Sequence, residues 1–578
     1  MNPLLDDRDI EFLLYDVLDA EGLLALPAFK EHSRETFDMV IGNARKLART
    51  ALFPVYREMD QSPRFEGGRI FLHPKMRDLY PKLLELGLAP ATRGQDVGGQ
   101  SLPLMIDSVA QTYLCAANLG VASFVILCRG PAHLIEAFGS DALKKKYMEP
   151  LYAGEMTGTM ALTEPHAGSS LADLTTTATP TGDGDYLVRG QKIFISGGDH
   201  DLTENIVHLT LARIEGAPAG TKGISLFAIP KLRDGKPNDV HVAGMVHKIG
   251  WKALPSLIMS FGEQNACRAE LVGEPHQGLM YMFQMMNEAR IGVGLAAAAT
   301  ATVAYHEALE YARTRTQGRA LGQRGGPQIP IIAHADVRRM LLRQKAITEG
   351  ALALVLLTAR YADVAESGDE RAKLMLDLLT PITKSFPAER GFESNALAVQ
   401  IHGGYGYSSE YLPEAWLRDQ KLNTIHEGTT AIHSMDLLGR KVMAKDGAAL
   451  RMLLGEVETS IGEAKTAGVP EALVARVATA AATVTDTTMK LAALGMGGDP
   501  EAMMRHSVDY LEMMSTFVVS WLWLRQATAA KKKTGAFYEG KLRAAQYFIE
   551  TELPKIAHLA HLCVTAEDSY AKMTDEMF

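Results

Sequence analysis

One stretch of this chain decides its fold: Ala161-Leu-Thr-Glu-Pro-His-Ala-Gly-Ser-Ser-Leu-Ala-Asp-Leu174. Pro165 fixes its own backbone angle and lacks a donor, whereas Gly168 lets the chain approach a bound group closely. The hydroxyls of Thr163 and Ser169, with the backbone N–H groups around them, form a compact set of hydrogen-bond donors. Such a nest suits a pyrophosphate and the polar edge of a ring system. A solvated turn is the alternative interpretation of so short a segment, and motifs elsewhere in the chain are needed to distinguish it from a ligand-binding nest.

The composition is that of a globular protein with several domains. At 578 residues, 47% of them apolar and 22% charged, the chain is too long for a single core. A net charge of −9 argues against a general nucleic-acid binder. The four scattered cysteines have neither metal-ligand nor disulfide spacing, which favours a reducing compartment and therefore the cytoplasm. No metal site, signal peptide or membrane span is expected, since the most apolar late segment, residues 513–524, is too short to cross a bilayer.

The residue pattern changes along the chain and predicts four domains. Residues 1–158 read as helical, with a short N-terminal extension, because apolar residues recur at spacings of three and four. Residues 159–275 contain runs that alternate apolar and polar residues between Gly, Pro and Asp, which predicts a small β domain. The helical pattern returns over 276–444, and again over 445–578.

Several elements can be predicted individually. Residues 104–138 read as two apolar helices broken at Gly130-Pro131, since proline cannot continue a helical hydrogen-bond ladder. Further strands are expected at 186–196, 206–212, 223–229 and 256–261, and further helices at 279–313, 333–365, 374–399 and 430–444.

Two more segments look ordinary when taken alone. Phe194 and Ser196 lie at the end of a predicted strand, just before a glycine pair. Taken alone, this segment is an ordinary edge strand with a buried phenylalanine. The run Gln400-Ile-His-Gly-Gly-Tyr-Gly-Tyr407 follows an apolar helix, where glycines commonly form a C-cap.

A further segment places an acid in front of a helix. Glu427 lies in a predicted loop, and the next helix is expected to begin near Thr429 or Thr430. The helix dipole favours an acid at this position, and Thr429 suits an N-cap. The isolated segment therefore has a structural explanation as well as a chemical one.

Together these motifs resemble those of the acyl-CoA dehydrogenase family over about residues 30–440. The resemblance implies an α+β, mostly α fold: an N-terminal helical domain, a middle β-barrel-like domain and a C-terminal four-helix bundle. An additional C-terminal helical domain, together with the N-terminal extension, resembles a longer bacterial subgroup that includes 3-methylmercaptopropionyl-CoA dehydrogenase. A short or functionalised acyl group is the substrate that this subgroup suggests.

The resemblance implies FAD as the cofactor. The residues that it places at the cofactor are Met160, Leu162, Thr163, Gly168, Ser169, Phe194, Ser196, Arg315, Gln317, Gln400, Gly403, Gly404 and Thr429. In the family, the glycine turn and the Arg315 and Gln317 positions reach the FAD of a neighbouring subunit, so a homo-oligomer is expected, with a dimer preferred. Arginine suits the pyrophosphate because its guanidinium presents a bidentate fork.

The resemblance also implies a mechanism. Glu427 is the base that takes the α-proton of the thioester, and flavin N5 accepts the β-hydride. The Glu427 N–H and a ribityl hydroxyl bind the thioester oxygen. The implied substrate contacts are Ser169, Arg290, Glu427 and Gly428. Where the family often has an amide and a tyrosine near the base, this chain has Ala431 and His426.

Three alternatives stay open. The electron acceptor is expected to be an electron-transfer flavoprotein, but an oxidase would use oxygen, and the motifs do not separate the two. A non-catalytic flavin- or CoA-binding assembly protein is a different class, against which the retained Glu427 argues. A nicotinamide enzyme is disfavoured, because no Gly-x-Gly-x-x-Gly follows a predicted strand.

Overall fold

The computed structural model describes residues 2–578, except for the side chains of residues 284–286. The packing divides the chain into two compact units. One comprises Arg34–Ala289, and the other comprises the chain up to Ser33 together with Arg290–Phe578. Residues 2–33 therefore pack with the C-terminal helices. The bounds of the four predicted domains stay predictions.

The α-helices are joined by short 3₁₀ and π turns. They are α1 Asp7–Glu11, α2 Arg34–Leu47, α3 Tyr56–Met59, α4 Met76–Leu84, α5 Leu104–Phe138, α6 Asp141–Leu143, α7 Glu149–Ala153, α8 Gly278–Thr314, α9 Ala335–Glu366, α10 Glu370–His402, α11 Pro413–Leu422, α12 Thr430–Asp436, α13 Ala444–Thr466, α14 Glu471–Met496, α15 Pro500–Met504, α16 Ser507–Lys531, α17 Ala536–Tyr547 and α18 Ile556–Thr565.

The strands all belong to the unit Arg34–Ala289. They are β1 Arg64–Glu66, β2 Arg69–Phe71, β3 Met156–Ala161, β4 Thr177–Pro180, β5 Tyr186–Ser196, β6 Asn205–Ile214, β7 Ile224–Pro230, β8 Leu232–Arg233, β9 Lys236–Pro237, β10 Val240–Met245, β11 Ser256–Phe261 and β12 Arg268–Leu271. The predicted strands at 186–196 and 256–261 are confirmed with those bounds, and the other two within two residues.

The larger sheet explains the barrel-like character expected of the middle domain. Its path runs β10-β11-β5-β12-β7-β6-β3, and β4 pairs with both β5 and β6. The pairings β5–β12, β12–β7, β7–β6, β6–β4 and β4–β5 therefore close a ring. Side chains of β6 and β7, such as Leu209 and Leu226, are fully buried beside Leu134 of α5 and Leu151 of α7.

The predicted break within residues 104–138 is in the wrong place. Pro131 lies inside α5, and the helical angles are lost instead at Asn118 (φ −165°, ψ 89°). Asp107 Oδ2 and Arg129 Nη1 are 2.7 Å apart, so the chain folds back at Asn118 into two antiparallel halves. Asn118 Oδ1 accepts from the Val121 N–H at 3.4 Å, in the manner of a cap on the second half.

Among the described residues, α5 is the one helix long and apolar enough to cross a membrane by length and composition. However, 89% of its most apolar window is buried within the fold. Its composition is therefore accounted for by packing in the core.

The predicted long helices are confirmed as α8, α9 and α10, of which α9 and α10 lie wholly in the second unit. The helix predicted at 430–444 is shorter: α12 ends at Asp436 and continues as a π turn over Leu437–Lys441. The aromatic residues Phe517, Trp521 and Trp523 of α16 are fully buried, as expected for core residues.

Candidate active site

The first group of candidate residues lies where β3 ends beside β5. Phe194 has a left-handed backbone (φ 61°) within a bulge, because the pairing of β5 with β11 shifts register at this point. The bulge turns the Phe194 side chain outward, where 60% of it is exposed. The Ile193 N–H donates to the Thr163 carbonyl at 2.9 Å, which fixes the loop after β3 against the aromatic strand. Thr163 and Ser196 are half-buried.

A buried ion pair that the sequence analysis missed holds this loop. Glu164 and Lys192 are both fully buried, 2.9 Å apart, and Lys192 Nζ also donates to the Leu162 carbonyl at 3.0 Å. Burial would raise the pKa of Glu164. Lys192, with hydrogen bonds from Thr175 and Thr176, instead lowers it to about 2. The loop carrying Thr163 is therefore tied by charge as well as by backbone bonds.

The other predicted residues of this unit flank the same loop. Met160 and Leu162 are half-buried, whereas Gly168 and Ser169 are exposed. A Cβ placed on Gly168 would meet only the Thr163 methyl group, at 3.8 Å. The exposed edge of the loop can thus receive a ligand without rearrangement.

The second group surrounds Glu427 in the other unit. Glu427 is half-buried and has a left-handed backbone (φ 55°), followed by Gly428 at φ 95°. Among the described residues, its carboxylate has no hydrogen-bond or ion-pair partner, and no acceptor is bonded to its N–H. Burial raises the pKa of Glu427, while Arg290 and Lys384 act to lower it. These are the properties of an available base beside an available backbone donor.

Two buried cations face this acid. Arg290 is 5% exposed and pairs with Asp436 at 3.2 Å, and Asp436 also binds Arg440. Lys384 is fully buried, and its Nζ donates to the Gly428 carbonyl at 2.7 Å. Arg290 was predicted from the sequence as a substrate contact, whereas Lys384 was not predicted.

The helices that carry the two cations approach each other closely. Pro387 has no N–H, so the Thr383 carbonyl of α10 loses its usual helical partner. A Cβ on Gly294 of α8 would lie 2.2 Å from that carbonyl oxygen, so only glycine fits there. This contact lies next to Lys384 in sequence and one turn from Arg290.

His433 supports the same loop from α12. Its Nε2 lies 3.1 Å from the Glu427 carbonyl oxygen, to which it donates. Burial lowers the pKa of His433 to about 3, so the ring is neutral, and its Nδ1 has no partner among the described residues. Thr429 occupies the N-cap position of α12, as predicted, but its side chain makes no capping bond.

The third group lines a cleft of about 690 Å³ in the same unit as Glu427. The structure brings together two motifs that are far apart in sequence here: Arg315 and Gln317, and the turn with Gly403 and Gly404. Space is open around both glycines, and a Cβ there would meet nothing within 4 Å. Gln400 is exposed on the helix that leads to the turn.

These groups fit FAD. An aromatic ring that is largely exposed beside polar Thr163 and Ser196 suits a stacked flavin. A cleft with an arginine fork and open glycine backbone suits a dinucleotide phosphate. The predicted residues thus fall into three groups, one in the first unit and two in the second. The ties that hold them, Glu164–Lys192 and Lys384 with His433, join residues too far apart in sequence to form a local motif.

Comparisons with known proteins cover nearly the whole chain. Four sequence profiles match in order: the acyl-CoA dehydrogenase N-terminal domain at 34–155, the middle domain at 159–263, the C-terminal domain at 276–443 and an "acetyl-CoA dehydrogenase C-terminal like" domain at 453–574. The 3-methylmercaptopropionyl-CoA dehydrogenase of Ruegeria pomeroyi is 35% identical over 94% of this chain and 95% of that protein. A butyryl-CoA dehydrogenase of Syntrophomonas wolfei is 30% identical over 100% and 99% of the respective chains.

A solved structure shows the same fold over both units. The acyl-CoA dehydrogenase of Bacillus anthracis, determined in complex with FAD, aligns with a TM-score of 0.76 at 22% identity. The alignment covers 97% of this chain and 93% of that one. The extra C-terminal helices are therefore part of a fold already known among solved structures.

Proposed function

This chain belongs to the FAD-dependent acyl-CoA dehydrogenase family, and on that premise we propose that it converts a short acyl-CoA thioester to the trans-2-enoyl-CoA, with Glu427 as the base. The observation that carries the assignment is the Glu427 carboxylate, which is unpaired and has a raised pKa. Bound FAD supplies the acceptor for the hydride that leaves the β-carbon.

Glu427 removes the α-proton. A carboxylate with its ordinary pKa is a weak base for this task, and burial moves the pKa towards that of a stronger one. Arg290 and Lys384 oppose the shift, since their positive charges favour the ionised carboxylate. The α-proton passes to a Glu427 carboxylate oxygen, while the electron pair of the Cα–H bond enters the new double bond.

The thioester oxygen requires a donor as negative charge develops on it. The unbonded N–H of Glu427 supports its assignment to this role, because a preorganised donor stabilises the enolate-like transition state. Arg290 and Gly428 lie beside this position and contribute to thioester binding, and we keep Ser169 as a further proposed substrate contact.

The remaining predicted residues hold the cofactor. Phe194, Thr163 and Ser196 would hold the flavin, and Met160, Leu162, Gly168, Ser169 and Thr429 would complete its site. The cleft with Arg315, Gln317, Gln400, Gly403 and Gly404 would hold the dinucleotide of a neighbouring copy, and on that basis we propose a homo-oligomer, with a dimer preferred.

The relatives support a short acyl chain. One is named for 3-methylmercaptopropionyl-CoA and another for butyryl-CoA, and both match this chain over almost its full length. We propose that this enzyme takes acyl groups of that size, passes its electrons to an electron-transfer flavoprotein and acts in the cytoplasm. Four free, buried cysteines suit a reducing compartment.

The test is the flavin spectrum of the purified enzyme under anaerobic conditions. Butyryl-CoA or 3-methylmercaptopropionyl-CoA should bleach it, and a long-chain thioester should do so more slowly. Glu427→Gln should retain FAD and bind the thioester but reduce the flavin at least 1,000-fold more slowly. Glu370→Gln, which alters a surface acid paired with Lys445, is the matched control. A wild-type enzyme that no thioester bleaches would refute the assignment.

Two further measurements separate the finer points. Enzyme reduced by substrate should be reoxidised quickly by an electron-transfer flavoprotein and slowly by oxygen, and the reverse order would make it an oxidase. Dilution to the monomer should release FAD, so a monomer that keeps its flavin would contradict the proposed dimer contacts.

A further inference from the structure

The Glu427–Gly428 turn is strained and is held from both sides. Both residues have positive φ, and for glutamate this conformation is disfavoured. On the side that leads into the turn, the His426 N–H donates to the Leu422 carbonyl at 3.1 Å. On the other side, buried side chains bind two successive carbonyls: His433 binds that of Glu427 and Lys384 that of Gly428.

Lys384 is difficult to explain as a stabilising residue. Its side chain is fully buried, and among the described residues no carboxylate lies within 4 Å of its Nζ. Burying an ammonium group without a close counter-ion is strongly unfavourable. Burial accordingly lowers the pKa of Lys384 to about 8, although Glu389 and Glu427 act in the opposite direction. A methionine would fill the same space without this penalty.

We propose that Lys384 and His433 are positioning residues that fix the Glu427–Gly428 turn, so that the N–H and the carboxylate of Glu427 both face the same bound substrate. This inference rests on the proposed function of Glu427. Rotation about the bonds of a single Cα would carry the donor and the base out of alignment together. The hydrogen bonds from His433 and Lys384 to the carbonyls of Glu427 and Gly428 prevent that rotation. Misplacement of a reacting group by about 1 Å can lower the rate about 100-fold.

His433 and Lys384 contribute different interactions to the turn. His433 is neutral in the fold, since burial together with Lys384 and Arg290 lowers its pKa to about 3, so it supplies a donor without adding charge. Lys384 supplies both a donor and a positive charge. The charged and titratable groups that face this cluster are Arg290 on α8, Lys384 and Glu389 on α10, His433 and Asp436 on α12, and Arg440 beyond it.

The sign of the pH effect follows from these neighbours. Lys384 and Arg290 lower the pKa of Glu427 against the effect of burial. Removing the charge of Lys384 therefore raises that pKa, and the base becomes protonated at a higher pH. The acid limb of the kcat/KM profile, which reports the free enzyme, should move to higher pH.

The first experiment compares Lys384→Met with Lys384→Gln in the FAD-loaded enzyme. Lys384→Met should lower kcat 10- to 100-fold with little change in KM and move the acid limb upward. Lys384→Gln keeps a donor without the charge, so it should recover part of kcat but keep the shifted limb. The control is Lys441→Met, which removes another largely buried lysine, paired with Asp377 at 2.6 Å, without touching the turn. If Lys384→Met behaves as the control does in kcat and pH profile, the proposal is wrong.

A second pair of variants tests the other side of the turn and covers the case in which Lys384→Met does not fold. His433→Leu removes the donor to the Glu427 carbonyl, and His433→Gln restores one. The leucine variant should lose at least 10-fold in kcat, and the glutamine variant should regain most of it. Equal rates in the two variants would overturn the role of His433. Because wild-type bleaching is measured in the same series, failure of the proposed function would be recognised separately.

Discussion

Two residues proposed to act at the reaction centre, Phe194 and Glu427, share an uncommon backbone conformation. Both are left-handed, at φ 61° and 55°, and neither is glycine. Such a conformation costs about 1–3 kcal/mol and persists only where the surrounding structure fixes it, and such strain concentrates at functional sites. In each case the fixing contacts are visible: the bulge in β5 for Phe194, and Lys384 with His433 for Glu427.

Gly428 gives a prediction at this scale. It has φ 95°, and an added Cβ would lie 2.9 Å from His433 Nε2, so Gly428→Ala must displace the ring that holds the turn. We expect kcat to fall at least 100-fold and stability to fall by about 1–2 kcal/mol, as measured by flavin reduction and denaturant unfolding. Gly462→Ala on α13, where an added Cβ meets nothing within 4 Å, is the control. It should leave activity unchanged, and equal effects in both variants would contradict this account.

Residue identities at the site were accessible from sequence only where a local motif contains them. Glu427 could be predicted because Gly428 and Thr429 adjoin it, and Phe194 because a glycine pair follows its strand. Lys384 and His433 could not be predicted as partners of the turn. Lys384 precedes Glu427 by more than 40 residues, and nothing local in α10 distinguishes it from a solvent-facing lysine. Backbone angles such as the φ of Glu427 are likewise set by tertiary contacts.

At the scale of elements, the pair Glu164–Lys192 joins the loop after β3 to β5. Removing one partner of a buried pair leaves an uncompensated charge, which typically costs about 3–5 kcal/mol. We expect Lys192→Met to lower stability by about that amount and to weaken FAD binding, since the pair ties the Thr163 loop to the strand of Phe194. Lys231→Met breaks the Lys231–Asp199 pair of the same unit and should leave FAD binding intact. The measurement is the FAD retained by each variant during gel filtration, and equal retention by Lys192→Met and Lys231→Met would contradict the role given to the Glu164–Lys192 pair.

The same pair predicts a pH dependence. The pKa of Glu164 is held at about 2, below its ordinary 4.5, and that of Lys192 is lowered to about 8. Both charges are therefore present together between about pH 2 and 8. The contribution of Glu164 is complete above pH 4.5 and is lost as the pH falls towards 2. The stability difference between wild type and Glu164→Gln should accordingly shrink as the pH falls below about 4, and a difference that keeps its full size at pH 2 would contradict the charge pairing.

Helices and strands were predicted well where the apolar periodicity is strong, and poorly where a single polar residue sets the position of a turn. Strand β5 could be bounded correctly because its alternation ends at glycines. The helix pair in residues 104–138 could be identified, but its turn was placed at Gly130-Pro131. Proline can lie inside a helix when packing offsets the one hydrogen bond that it removes, as Pro131 does in α5. The buried side chain of Asn118 instead caps the second half of the helix pair. Propensity alone does not rank these two effects.

At the scale of the whole molecule, the two ends of the chain belong together. The chain up to Ser33 packs in the same unit as the C-terminal helices, so the N-terminal extension and residues 445–578 form one structure. Both additions are visible in the sequence, but more than 400 residues separate them, so no local pattern relates one to the other. Their junction is buried: Lys541 of α17 pairs with Asp9 of α1 and, at 2.7 Å, with Glu349 of α9.

The same junction has a solvent-exposed counterpart, and the two lysines allow a matched test. Lys541 is fully buried and accessible to no solvent, while Lys533 is 40% exposed and pairs with Asp16 at 2.5 Å. Buried pairs broken on one side cost several kcal/mol, but exposed pairs contribute about 0–1 kcal/mol. We therefore expect Lys541→Met to destabilise the protein by about 3–5 kcal/mol and to make the first 33 residues sensitive to protease. Lys533→Met should change neither.

The order of protease cleavage tests whether the N-terminal extension holds the C-terminal helices in place. If the extension serves as a strap for the C-terminal helices, cleavage in Lys541→Met should begin within residues 2–33 and be followed by loss of α16 and α17 from the protected core. The Arg34–Ala289 unit should keep its protection, because its core residues, such as Leu209 and Leu226, lie within that unit. Cleavage that begins elsewhere, or an extension that stays protected in Lys541→Met, would show that the buried lysine does not join the two ends.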